Sequence, residues 1–332
     1  MSDSYFKKQR YLIGVHIIIL MIAIAISLLS GRYRLSFRDI MDIFGQEATT
    51  THTLIFWEIR LPRTIVVCAS GAALALAGTA LQKMFNNPLA SPDIIGITSG
   101  CSVGAAIGIV FLGGAAITIQ SMSFVTGMIA MGLALLLAGM MRTNKTLGLV
   151  IAGIITGALS TSLIMIMKYL ADPVKQLPSI EYWLMGGFYH ADWGQVFTVV
   201  PIVIVGTVFL ILLGWQLQIL SLGQEQAAAL GVEVKRLQLA ILLITTLMVS
   251  SVVSTSGLIS WIGLIAPHIV KMYCKEGILY HLPLSALTGA SLMLFADTIA
   301  KTMSANEVPV SIVTTLLGAP ILFYLARRMK QE

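Results

Sequence analysis

The sequence predicts an all-α polytopic membrane protein with about ten transmembrane helices and both termini on the cytoplasmic side. Three observations lead there: the composition, the spacing of charge-free runs, and the way lysine and arginine are shared between the two sides. Of 332 residues, 57% are hydrophobic and 11% charged, with a mean hydropathy of +0.89, far above what a water-soluble domain sustains.

A helix needs about 20 apolar residues to cross the hydrocarbon. Uncharged runs of that order occupy residues 11–29, 64–82, 94–112, 114–141, 146–167, 193–215, 237–270, 277–296 and 308–326. The first follows Lys7, Lys8 and Arg10, is long for a signal-peptide core and has no A-x-A-like site after it, so a retained span is expected. The seventh, at 34 residues, is too long for one helix, and Ser254 to Gly257 (STSG) in its middle suits a break. Splitting it gives ten spans. Ten spans place 13 of the 21 lysines and arginines inside and 8 outside, whereas nine would leave 9 inside and 12 outside, against the positive-inside rule.

The formal charge of +6 carries no basic patch alternating with stacking aromatics, so no nucleic-acid partner is expected. Cys68, Cys101 and Cys274 stand apart from one another in or beside apolar runs, which excludes a disulfide framework or a CxxC zinc site and leaves them as small packing residues. The five histidines are scattered, and no metal site is expected. No G-x-x-x-x-G-K-[ST] loop occurs, and none of the eleven lysines follows a glycine, so any ATP must be bound by another chain. H-E-x-x-H and G-x-S-x-G are absent too, leaving an intramembrane protease or esterase without a site and no catalytic residue to nominate.

Apart from Asp93, residues 86–141 contain no Asp, Glu, Lys or Arg, and the centres of the other spans are free of them. Ion-coupled carriers place ionisable groups near the midplane, so this argues against an autonomous carrier or channel. Gly96, Gly100, Gly104 and Gly108 line one face of the third span, and Gly153 and Gly157 repeat the spacing later; such faces let another backbone approach closely. Between the second and third spans, NNPLASPD (86–93) holds Pro88 and Pro92, which enforce a non-helical turn. A plain connection and a functional constriction both fit it.

Four stretches in order, RLPRTIVVCASGAALALAGTALQKMFNNPLASPDIIGITSG (60–100), LGQEQAAALGVEV (222–234), GLISWIGLIAPHIV (257–270) and ADTIAK with LGAP (296–301 and 317–320), resemble the FecCD-type permeases of bacterial type II ABC importers. The resemblance covers nearly the whole chain. It implies that residues 1–332 form a single transmembrane permease domain in the bacterial cytoplasmic membrane, carrying a ferric siderophore, with vitamin B12 and haem as alternatives. It implies a second permease subunit, two copies of an ABC ATPase that bind ATP with its magnesium, and a periplasmic or lipid-anchored solute-binding protein. It implies that this chain itself holds no cofactor and leaves hydrolysis to the ATPase.

The resemblance also assigns residues. Arg60 and Arg63 of R-L-P-R, with Lys301 of ADTIAK, fall at the external mouth facing acidic residues of the binding protein. A guanidinium pairs with a carboxylate as a two-pronged fork, and lysine does so less directionally. Read without the family, all three also suit anchors snorkelling at helix ends. Asp297, four residues before Lys301, can pair with it on a helix. Asn87 and Leu89 match the cytoplasmic gate, with Lys145 and Thr146 as its companions. Leu222, Gly223, Gln224, Glu225, Ala228, Leu230 and Gly231 match a cytoplasmic loop whose two short helices contact the ATPase. His268, in APH, carries no role that its chemistry explains.

Overall fold

The computed structural model describes residues 3–33, 35–45, 49–141, 145–274, 277–304 and 307–329, and every regular element among them is helical. The order is α1 (Asp3–Leu29), α2 (Phe37–Phe44), α3 (Thr50–Leu54), α4 (Leu61–Phe85), α5 (Ile97–Phe111), α6 (Ala116–Met140), α7 (Lys145–Leu170) and α8 (Gln176–Met185). It continues through α9 (Trp193–Leu212), α10 (Gly214–Leu220), α11 (Gln224–Ala229), α12 (Val234–Ser256), α13 (Ile262–Tyr273), α14 (Ile278–Met303) and α15 (Val310–Met329). Among the described residues seven helices are long and apolar enough to cross a membrane, and α5, α13 and α15 are shorter apolar helices. Together they occupy the ten predicted stretches, and the STSG segment does end a helix: α12 stops at Ser256 and α13 starts at Ile262.

The axle of the bundle is α4. It continues α3 through a single π turn over Ile55–Arg60, so that Thr50–Phe85 runs unbroken for 36 residues. Leu61 N–H bonds the carbonyl of Phe56, five residues back. Pro62, which has no N–H and would crowd the carbonyl four residues before it, accounts for the widening. In α4 78% of the apolar window is buried, against 28% in α6 and in α7, which leaves those two helices free to face lipid or another subunit.

Two close backbone approaches lock α4 to its neighbours. A Cβ on Gly78 would lie 1.7 Å from the carbonyl oxygen of Gly263 on α13, and one on Gly71 would lie 2.4 Å from that of Gly289 on α14. The glycine face predicted for the third span exists on α5 and packs on α6: Gly100 meets Ala130, and Gly104 meets the Met122 carbonyl. Gly96 serves differently. With φ +80° it turns the chain into α5, beside Gly153 of α7.

Two of the predicted spans are not full helices. At about 1.5 Å per residue, the 12 residues of α13 and 15 of α5 reach only part of the hydrocarbon. Irregular backbone at 86–96 and 257–261 makes up the remainder, which a bilayer tolerates only inside protein or beside a water-filled cavity. Both segments border one cavity of about 280 Å³, lined by Ser91, Asp93, Thr98, Ser260, Trp261 and Leu74 among others.

Candidate functional site

Three features bear on function: a charged cluster at one end of α4, the re-entrant turn at its other end, and the short helices before α12. The first is built on the R-L-P-R segment. Arg60 is buried, at 7% exposure. Its Nη1 donates to the Leu29 carbonyl at 2.8 Å and also to Leu28, and its Nη2 donates to Tyr33. It thus caps the carbonyls at and just beyond the end of α1, which have no partner within that helix. A Cβ at Gly31 would stand 3.0 Å from this guanidinium, so the glycine leaves room for it.

One turn on, Arg63 donates to Asp297 from Nη2 at 2.9 Å and from Nε at 3.2 Å, and to Glu307 from Nη1 at 3.0 and 3.2 Å. Lys301 Nζ donates to the Ser27 carbonyl at 2.8 Å and stands 3.7 Å from Asp297. Ser27 also shares a 3.1 Å hydrogen bond with Thr64. Arg60, Arg63 and Lys301 do converge, and within this chain their donors are engaged by α1, α14 and the segment before α15. The pairing of Asp297 with Lys301 expected from their spacing is present, yet its closer partner is Arg63. Substituting Arg60→Ala strands the α1 carbonyls and is expected to cost about 2–3 kcal/mol, read as a lowered melting temperature of the detergent-purified chain.

At the opposite end of α4, Asn86 closes the helix in the left-handed conformation (φ 47°). Asn87 Oδ1 accepts from Leu89 N at 2.9 Å, an Asx turn that presents Leu89 at 54% exposure. The chain then turns inward. Pro92 opens a 3-10 turn to Ile95, and Pro92 and Leu74 both flank Gly263. Leu74 is near the middle of α4, so Asp93 stands level with the middle of the bundle, on an exposed face that lines the cavity, and accepts from Thr98 Oγ1 at 2.7 Å. α7 begins at Lys145, but residues 142–144 and the side chains of Lys145 and Thr146 lie outside the described residues.

The segment at 222–234 contains one short helix, α11, rather than two; its companion α10 precedes it, extending the pair back to Gly214. Gly223 (φ +125°) and Gly231 (φ +83°) bracket α11 in conformations that only glycine adopts readily. Ala227 is fully buried, while Glu225 and Ala228 face outward and Leu222 and Leu230 are 60% and 62% exposed. Gln224, Glu225, Ala228, Glu233, Lys235 and Gln238 line a shallow groove beside them. Gln218 Oε1 accepts from Ile278 N at 3.1 Å, tying α10 to the start of α14. On α13 the His268 ring donates from Nδ1 to the Leu264 carbonyl at 2.8 Å, which makes it a local tie.

Ten apolar helical segments among the described residues, with a re-entrant turn and an exposed pair of short helices between spans, are the architecture of a polytopic membrane permease. The chain belongs to the FecCD transport family, whose model matches residues 19–328. It is 35% identical to the molybdate import system permease protein MolB of Haemophilus influenzae, over 99% of this chain and 98% of that one. It is 36% identical to the Fe(3+) dicitrate transport system permease protein FecC of Escherichia coli, over 86% of each. A solved structure assigned to the metal-chelate type of ABC transporter, in an inward-facing conformation, superposes with a TM-score of 0.88 at 33% identity, covering 96% of this chain and 99% of that one.

Proposed function

We propose that this subunit carries a ferric siderophore from a solute-binding protein into the cytoplasm by alternating access, in the bacterial cytoplasmic membrane with both termini inside. A second permease subunit completes the pathway, and two ABC ATPase chains, binding ATP with magnesium, drive it. Arg60, Arg63 and Lys301 form the outer docking region, Asn87 and Leu89 with Lys145 and Thr146 form the inner gate, and the α10–α11 pair couples to the ATPase. The observation that best supports coupling is α11 itself. A six-residue helix fixed by two glycines and a buried alanine transmits force, and the exposed leucines that flank it, Leu222 and Leu230, offer apolar contacts that a mere connector does not need.

The likeness to the ferric dicitrate permease supports the iron cargo, and the likenesses to molybdate, hemin and vitamin B12 permeases support the competing readings. The deciding experiment is ATP-dependent uptake into proteoliposomes carrying the complete importer, comparing a radioiron siderophore, cyanocobalamin, haemin and molybdate. Accumulation of the siderophore alone supports the reading. Accumulation of another compound replaces the cargo and leaves the importer standing, and uptake indifferent to ATP returns the autonomous carrier.

Leu230→Asp is expected to reduce transport-coupled ATPase activity by about tenfold, because a buried carboxylate at a docking contact costs at least 1.4 kcal/mol, that is about tenfold. The melting temperature of the isolated chain should stay within roughly 2 °C, since the side chain is already exposed.

A further inference from the structure

If Arg63 docks a solute-binding protein, as its proposed role requires, one of its contacts within this chain must be free to exchange. Its guanidinium has two edges. Nε and Nη2 are closed by Asp297, whose side chain is fully buried, so that edge belongs to the interior. Nη1 meets both oxygens of Glu307, whose side chain keeps 21% of its surface exposed. Arg60 and Lys301 spend their donors on backbone carbonyls around the end of α1, which an incoming group displaces only by undoing that helix end. Among the described residues of this cluster, Glu307 on Arg63 is the one contact in which a partly exposed carboxylate exchanges for another with charge and hydrogen bonds conserved.

The backbone at Glu307 supports the same conclusion. Its φ of +38° is a left-handed conformation, which costs a residue with a Cβ about 1–2 kcal/mol, and the pair with Arg63 compensates for it. The neighbouring positions are tied down separately: Val308 N donates to the Ala300 carbonyl at 3.0 Å and Val310 N to that of Gly186 at 3.1 Å. The Glu307 side chain can therefore let go of Arg63 without undoing these backbone bonds at the start of α15. Three cations against two carboxylates also leave the cluster with an excess positive charge, which attracts an acidic partner before any exchange takes place.

We propose that Glu307 is a built-in stand-in for the partner's carboxylate: it holds Arg63 in the free permease and yields it to an acidic side chain of the docking solute-binding protein. The test uses the permease–ATPase complex in lipid nanodiscs and the solute-binding protein recovered with it, with affinity measured by surface binding at two salt concentrations. Both Glu307→Gln and Glu307→Ala are expected to tighten binding by roughly fivefold and to steepen its salt dependence. Adding Arg63→Gln is expected to remove that gain. Unchanged or weaker binding by both single variants overturns the inference while leaving docking intact, as does a gain that survives Arg63→Gln. A wild-type complex that binds no solute-binding protein overturns the docking role and the inference together.

Discussion

Replacing Gly78 by leucine is expected to prevent the chain from forming its bundle. The new Cβ would sit 1.7 Å from the Gly263 carbonyl oxygen and 2.6 Å from the carbonyl carbon. Both are backbone atoms, so no rotamer relieves the clash, and α4 and α13 must separate. Overpacking by even a few methylenes costs about 1–3 kcal/mol when side chains can yield; here they cannot, and the loss should exceed that range. The yield of monodisperse protein in detergent and its thermal unfolding provide the measurement. Gly132→Leu is the control, because nothing lies within 4 Å of a Cβ there. It should fold as the wild type does.

The second large effect is expected at Arg63. Arg63→Leu leaves Asp297 fully buried without its closest counter-charge and Glu307 without any described partner. Breaking a buried ion pair in this way costs about 3–5 kcal/mol, and Lys301, still 3.7 Å from Asp297, holds the expected loss near the lower end. Arg63→Lys should recover little of it, because an ammonium cannot fork between two carboxylates on separate segments. Thermal unfolding of the three proteins side by side reads this directly. A lysine variant as stable as the wild type would mean that net charge, not the geometry of the guanidinium, holds the cluster.

The limits of the sequence are themselves physical. Span positions were legible because the bilayer imposes a one-dimensional rule, a long run without charge, and the STSG break was legible because an overlong run exposed it. The shortness of α5 and α13 was not, since irregular backbone inside protein can be as apolar as a helix. At the charged cluster, local spacing found Asp297 with Lys301 but could not find Asp297 with Arg63, which are 234 positions apart. Glu307 and Ser27 carry no sequence signal at all, because an ion pair or a carbonyl contact made across the bundle depends only on tertiary placement. The depth of Asp93 was hidden for a related reason: a polar stretch with two prolines reads as a surface turn, and only the packing of Pro92 beside Gly263 shows the chain turning back inward.

If this chain moves cargo only as the membrane half of an ATP-driven machine, as proposed, an ATPase must stay bound to it. The measurement that tests it most directly is to tag the chain in its native host, extract it gently, and identify by mass what remains bound. The expected result is an ABC ATPase retained together with a solute-binding protein whose bound ligand names the cargo. Recovery of the permease without any ATPase, under conditions that keep a known importer whole, would contradict the account and leave α10 and α11 without a partner to push against.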